Sequence, residues 1–194
     1  MSTQIPKNLP SPPSVHAQAI TIRPSTEADL PAIQAIYAAA VLHGTGTFET
    51  EAPELSEMAR RRKEVLDRQL PWLVAEVGGQ VQGYAYANYF RPRLAYRFCV
   101  EDSIYLAPGN QGRGLGRLLL AELIARCEQA GARQMLAVIG DSQNLGSLGV
   151  HKALGFEHSG VLKSAGWKFG RWLDVVMMQR PLGQGDQATP EQGA

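Results

Sequence analysis

The stretch Cys99-Val100-Glu101-Asp102-Ser103-Ile104-Tyr105-Leu106, followed by Ala107-Pro108-Gly109 and then Gln111-Gly112-Arg113-Gly114-Leu115-Gly116, decides the fold. Its first part is an extended run. The part after it, Leu115 to about Ala130, carries Leu115, Leu118, Leu119, Leu123, Ile124 and Cys127 at helical spacing. A strand that enters a helix through a glycine-rich turn aims several backbone N–H groups at one spot, and the helix dipole adds partial positive charge there. Such a spot suits a phosphate. Glycine is needed because the turn uses positive φ and because a Cβ would hold an anion away from the amides. The spacing matches neither G-x-G-x-x-G nor G-x-x-x-x-G-K-[ST], so it fits neither a dinucleotide fingerprint nor a nucleoside-triphosphate loop.

About 30 residues on, Asn144-Leu145-Gly146-Ser147 precedes Gly149-Val150-His151-Lys152-Ala153-Leu154-Gly155-Phe156. This spacing predicts a short helix with Ser147 in its first turn and Gly155 as a left-handed stop. Together the two segments resemble the Q/R-x-x-G-x-G/A and N-x-x-S-x-x-x-Y/H-x-x-x-G-F signatures of the GNAT N-acetyltransferase superfamily. The resemblance implies an α/β (α+β) fold with a mixed, mostly antiparallel sheet flanked by helices. Its two central strands, here Phe98–Leu106 and Met135–Ile139, would splay apart to admit the pantetheine arm of acetyl-CoA. It also implies that Gln111, Gly112, Arg113, Gly114, Leu115, Gly116 and Arg117 bind the pyrophosphate. Asn144 and Ser147 would then contact the pantetheine, as would Ile104, Tyr105 and Leu106 through their backbone, the Leu106 amide being a candidate oxyanion donor.

The whole chain is consistent with one domain. Its 194 residues, 44% of them hydrophobic, can bury a sizeable core. A formal net charge of +1 gives no broad basic field for nucleic acid or an anionic membrane. No apolar run reaches the length of about 18 residues that a membrane span needs, and no apolar leader opens the chain. A cytoplasmic location is expected. The two cysteines, Cys99 and Cys127, are expected as free thiols, and no His/Cys/Asp cluster has the spacing of a metal site. The Pro- and Ser-rich segment 1–19 and the segment 183–194 are expected as loose tails around a domain spanning residues 20–182.

Along that domain the pattern predicts the order β-α-α-β-β-β-α-β-α-β-β. A first strand, Ala19–Arg23, is broken at Pro24. Thr26 and Asp29 then form a capping box ahead of a helix striped by Leu30, Ile33, Ile36, Tyr37, Ala40 and Val41. A thinner stripe of Leu55, Met58, Val65 and Leu66 marks the second helix. Strands Trp72–Val77 and Val81–Tyr89 flank Gly78-Gly79, and Gly160–Lys163 and Trp172–Arg180 read as the last two.

Four segments, Thr26–Ile33, Pro71–Val77, Ala95–Leu106 and Lys168–Val175, are similar to the phosphinothricin and methionine sulfoximine N-acetyltransferases within that superfamily. This closer resemblance implies acetyl transfer to the α-amino group of a small anionic or zwitterionic amino acid by a homodimer. Lys168–Trp172 matches a family segment that reaches the site or the dimer partner.

Amine acetylation needs a neutral amine, a base for its proton and donors for the oxyanion. Glu101, mid-strand and partly desolvated, is the expected base; the family places a glutamate there. Asp102 is its rival, turned to the other face by strand alternation unless a bulge intervenes. His151 stands where the family has a histidine, either a proton donor for the leaving thiolate or a structural residue of its helix. Phe90, Arg91, Arg93 and Tyr96 form either a clamp for an anionic amino acid or a solvated basic loop. Thr47 and Phe48 are expected to close the pocket, and His16, His43 and His158 to be surface residues. The alternatives that remain open are a peptide or protein N-acetyltransferase and a catalytically silent acyl-CoA-binding sensor.

Overall fold

A computed structural model describes residues 19–190. The proposed tail 1–19 lies outside them apart from Ala19. The elements are β1 (Ile20–Pro24), α1 (Leu30–His43), α2 (Leu55–Asp67), β2 (Trp72–Val77), β3 (Gln80–Tyr89), β4 (Cys99–Leu106), α3 (Leu115–Gln129), β5 (Gln134–Gly140), α4 (Leu145–Ala153), β6 (Glu157–Lys168) and β7 (Arg171–Pro181). They follow the expected order. The strands form one seven-stranded sheet, β1-β2-β3-β4-β5-β7-β6. Every pairing is antiparallel except β4 with β5. No described helix is long and apolar enough to cross a membrane.

The sheet is covered on both faces. On one side α1 meets an aromatic layer, in which Tyr37 packs edge-on against Tyr105 at 4.9 Å and Trp72 stacks on Tyr86 at 4.2 Å. On the other lies α3, whose Leu115, Leu119, Leu120, Leu123, Ile124 and Cys127 are buried. Burial on this scale contributes about 1.5–3 kcal/mol per large side chain and sets which face each strand turns inward.

Several boundaries and faces differ from the sequence expectation. Leu118 is 44% exposed while Leu120 is buried, because α3 lies flat on the sheet and the covered stripe is one position further round. Leu55 and Leu66 are exposed too, leaving Met58 and Val65 as the buried residues of α2. The Thr26–Asp29 capping box forms, but over a single 3-10 turn, and α1 starts only at Leu30. There Asp29 also accepts from the two terminal guanidinium nitrogens of Arg23, at 2.7 and 2.8 Å. The largest difference is β6. It runs from Glu157 to Lys168, well beyond Gly160–Lys163, as an edge strand that is exposed along most of its length.

Candidate active site

Strands β4 and β5 pair only from Cys99–Gln134 to Asp102–Ala137. Beyond that point β4 continues to Leu106 against β3, and β5 continues to Gly140 against β7, but the two no longer meet. Cys99 and Ala107 turn their backbone groups toward β3. The register between is unbroken, so alternation turns the Ile104 and Leu106 amides into the opening. Two unpaired strand edges facing each other are a slot for an extended, hydrogen-bonding ligand. It opens into a cavity of about 910 Å³.

One end of that cavity is the glycine-rich turn. Gly109, Gly112 and Gly114 have φ of 82°, 74° and 83°, and Gly114 caps α3 in the left-handed conformation. Side chains would strain there. Gln111, Gly112, Gly114, Leu115, Gly116 and Arg117 line the wall. Arg113 does not; its guanidinium turns to the Asn110 side chain at 3.2 Å. The free amides of the α3 N-terminus and the nearby Arg117 suit a diphosphate.

α4 forms another wall. Asn144 caps it, its side-chain oxygen accepting from the Ser147 amide at 3.2 Å, so its NH₂ group is what remains for a ligand. Ser147 and His151 line the cavity on the next turns. The His151 ring is only 3% exposed. Its Nδ1 lies 2.7 Å from the Ser147 carbonyl and its Nε2 lies 3.0 Å from Asp102 Oδ2. Burial opposes charge on this ring, but the Asp102 carboxylate and the Ser147 carbonyl outweigh it and raise its pKa above 6.5.

Glu101 and Asp102 occupy opposite faces of β4, with no bulge in its pairing to β3. Asp102 faces α4. Glu101 lies at the mouth of the slot, on the face that carries the aromatic layer, and lines the cavity with Ser103 and Tyr105. Burial, and then the neighbouring Asp102 charge, raise its pKa above the usual 4.5, while Arg91 pulls the other way. A carboxylate so desolvated holds a proton more readily than a solvated one.

Opposite Glu101 runs the connection between α1 and α2. Thr47 is buried and hydrogen-bonds Tyr37 Oη at 3.0 Å. Phe48 lies in a notch between Gly140 and Gly166. A Cβ on Gly166 would run into its ring, and one on Gly140 would run into the Thr45 carbonyl. Lys168 turns inward and donates to the Gly44 and Thr47 carbonyls at 2.9 and 2.8 Å. His43, expected as a surface residue without a role, is exposed yet stands on the cavity rim.

Of the expected substrate contacts, Thr47 and Phe48 line the cavity, whereas Phe90, Arg91, Arg93 and Tyr96 stand outside its wall. They belong to the β3–β4 connection, where Phe90 meets Tyr96 edge-on at 5.8 Å and the Arg91 guanidinium lies over the Phe90 ring at 4.4 Å. Arg91 still acts on Glu101 through its charge.

Residues 22–177 match the acetyltransferase (GNAT) domain model. The chain belongs to the GNAT acetyltransferase family. It is 56% identical over 173 residues to a phosphinothricin N-acetyltransferase of Alcaligenes faecalis, covering 89% of this chain and 88% of that one. It is 40% identical over 166 residues to an L-methionine sulfoximine/L-methionine sulfone acetyltransferase of Salmonella typhimurium, covering 84% and 95%. Among solved structures, a GNAT phosphinothricin acetyltransferase from Sinorhizobium meliloti in complex with AcCoA superposes with a TM-score of 0.88 at 48% identity, covering 90% of this chain and 95% of that one. In this GNAT domain the glycine-rich turn, the β4–β5 gap and Glu101, all singled out from the sequence, meet at one cavity. Sequence reasoning missed the inward turn of Lys168, the Gly140–Gly166 notch and the rim position of His43. A glycine that leaves room for an aromatic ring 118 residues away in the chain gives no local signal.

Proposed function

We propose that this chain acetylates the α-amino group of a small anionic amino-acid analogue of the methionine sulfoximine or phosphinothricin type, with acetyl-CoA as co-substrate. The observation that carries this reading is the juxtaposition at residue 102. The β4–β5 pairing ends there, one residue past a desolvated Glu101, and the free Ile104 and Leu106 amides follow. The slot fits a pantetheine arm, and the turn at Gly112 and Gly114 has no side chain that would block a diphosphate. When bound there, acetyl-CoA supplies the thioester. Glu101 takes the proton that the attacking amine releases, directly or through one water, and the Leu106 amide donates to the developing oxyanion. Thr47 and Phe48 form the wall facing the amine. The Arg91 guanidinium draws the substrate carboxylate from the β3–β4 side.

The active form in this reading is a homodimer. Trp167, Phe169 and Trp172 at the β6–β7 turn are 58%, 55% and 61% exposed, together with Leu162 at 57%. Such a cluster on one hairpin suits burial against a second copy.

The test is acetyl-CoA-dependent thiol release on a panel of methionine sulfoximine, phosphinothricin and short peptides. Turnover of the two amino acids, with kcat lowered about 10²-fold or more in Glu101→Gln at unchanged acetyl-CoA affinity, supports the reading. Turnover of peptides alone, or binding without turnover of any amine, overturns it.

A further inference from the structure

A second cavity, of about 500 Å³, lies at the other end of β4 from the glycine-rich turn and shares no lining residue with the first. Its floor is apolar: Leu70, Val100, Ala132 and Leu182 line it, and all are buried. Three arginines line it as well, each from a different part of the chain. Arg68 follows α2, Arg97 lies late in the β3–β4 connection and Arg133 stands between α3 and β5. Arg68 is already engaged, by Glu64 at 2.6 Å and by the Asn88 side chain. Arg97 gives one N–H to the Leu94 carbonyl at 3.2 Å, and its guanidinium lies over the Phe98 ring at 4.3 Å. Arg133 is half-buried, and its side chain meets no hydrogen-bond or ion-pair partner among the described residues.

That arrangement selects a ligand. Glu128 is the one acid in the lining, and it forms no ion pair among the described residues, so the cavity keeps an excess of positive charge. Low-dielectric walls focus such a field and concentrate anions. Guanidinium groups match carboxylate and phosphate oxygens with paired N–H donors. Stacking on Phe98 steadies the Arg97 plane and leaves most of its edge free to donate. Inorganic phosphate would leave the apolar floor bare, and an uncharged hydrocarbon would leave two guanidinium groups unmatched. We propose that this cavity is a second binding site, for a small organic anion that sets an apolar body on the floor and gives its carboxylate or phosphate to Arg97 and Arg133.

The position of the cavity links it to the first. Both ends of the β3–β4 connection are anchored beside it. The Phe90 amide donates to the Cys99 carbonyl at 3.1 Å, and the Phe98 carbonyl accepts from the Arg133 and Gln134 amides at 2.8 and 3.1 Å. An anion shared by Arg97 and Arg133 ties the connection to the start of β5 through side chains as well. The same connection carries Arg91, whose charge acts on Glu101. Occupancy therefore orders the segment that holds Arg91. This link, unlike the site itself, rests on the acetyl transfer proposed above.

Isothermal titration of the full chain tests the site, with coenzyme A in excess to occupy the slot. The probes are 3-phenylpropionate and phenyl phosphate, which separate a carboxylate ligand from a phosphate one. At least one should bind with a Kd of about 1 mM or tighter, and inorganic phosphate and 3-phenylpropanol should bind about tenfold more weakly or worse. Arg133→Gln breaks no side-chain bond among the described residues, so it should fold as before and weaken the tighter probe about tenfold. Arg97→Gln should do the same, whereas Arg126→Gln, outside the cavity, should not. No binding of either probe, or affinity that survives the loss of Arg97 and Arg133, overturns the inference. Inorganic phosphate binding as tightly as the probes overturns it too, since charge alone would then explain the affinity. In the transfer assay with acetyl-CoA and methionine sulfoximine, the tighter probe should lower KM for the amino acid about threefold in the intact protein and leave it unchanged in Arg133→Gln. A KM raised equally in both proteins places the probe in the acceptor site and overturns the inference, and an unchanged KM in the intact protein overturns the link to Arg91. If the intact protein acetylates no amino acid, the proposed function fails, whereas the titration still decides whether the second site exists.

Discussion

Lys168 and Thr47 are 121 positions apart in the chain, yet the Lys168 ammonium donates to the Thr47 carbonyl at 2.8 Å. The same ammonium takes the Gly44 carbonyl at 2.9 Å, so one buried cation fixes both ends of the segment that faces Glu101. Burial lowers the pKa of this lysine, and the Glu49 charge partly offsets that. The cost is met by two full-strength bonds to carbonyls that would otherwise be unpaired. The Thr47–Phe48 wall of the cavity is thus held from the far edge of the sheet, by the end of β6.

Lys168→Met should therefore act on the acceptor side alone. Two carbonyls lose their partner, and stability should fall by about 2 kcal/mol. KM for the amino acid should rise about tenfold as Thr47 and Phe48 drift, while acetyl-CoA affinity stays unchanged. Thermal melting and separate titrations of the two substrates check this. Equal losses for both substrates would show that the whole cavity had collapsed.

The notch for Phe48 gives a sharper test by coupling. Gly166→Ala puts a Cβ into the Phe48 ring, and overpacking of this kind costs about 1–3 kcal/mol. Phe48→Ala alone should also destabilise, by removing a packed ring. In the double variant the second change removes the clash made by the first, so the measured loss should be smaller than the sum by about 1 kcal/mol or more. Additive losses would mean that the ring leaves the notch freely.

How much of this was legible in the sequence depended on how local each signal was. The turn at Gln111–Gly116 and the cap at Asn144 are local, since a few neighbouring residues settle their backbone, and the structure places both on the cavity. The parity of Glu101 and Asp102 was also legible, because β4 has no bulge against β3. The extent of β6 was not. An edge strand exposed along most of its length lacks the alternation that marks a half-buried one, and its pairing with β7 is interrupted between Leu162 and Gly166. Nor was the partner of Asp102 visible, for His151 lies on a helix 49 positions downstream.

At the start of the domain, Asp29 links the Thr26 turn to Arg23, and these bonds, first those from Arg23, hold its carboxyl well below the usual carboxylate range. A depressed folded-state pKa adds stability that is complete above the unfolded value of about 4 and is lost as pH falls through the lower folded value. Asp29→Asn should cost about 2 kcal/mol at neutral pH. The gap between the two proteins in denaturant melts should narrow steadily below about pH 4. A gap that stayed constant with pH would assign the cost to packing rather than charge.

Arg91 makes two separable predictions, because it acts on Glu101 by charge and is proposed to act on the substrate by contact. Its positive charge opposes the burial that raises the Glu101 pKa. Arg91→Ala removes that opposition, so the base should hold its proton to higher pH. The acid limb of kcat should move upward, more at low salt than at high salt, since the guanidinium is exposed and its field is screened. If Arg91 also pairs with the substrate carboxylate, KM for the anionic amino acid should rise by about tenfold or more, while that for an amide-capped analogue should barely change. A shifted limb with an unchanged KM would leave Arg91 as a tuner of Glu101 and return substrate capture to the Thr47–Phe48 wall. A changed KM with a fixed limb would show that the β3–β4 connection closes over the substrate and that Arg91 leaves Glu101 when it does.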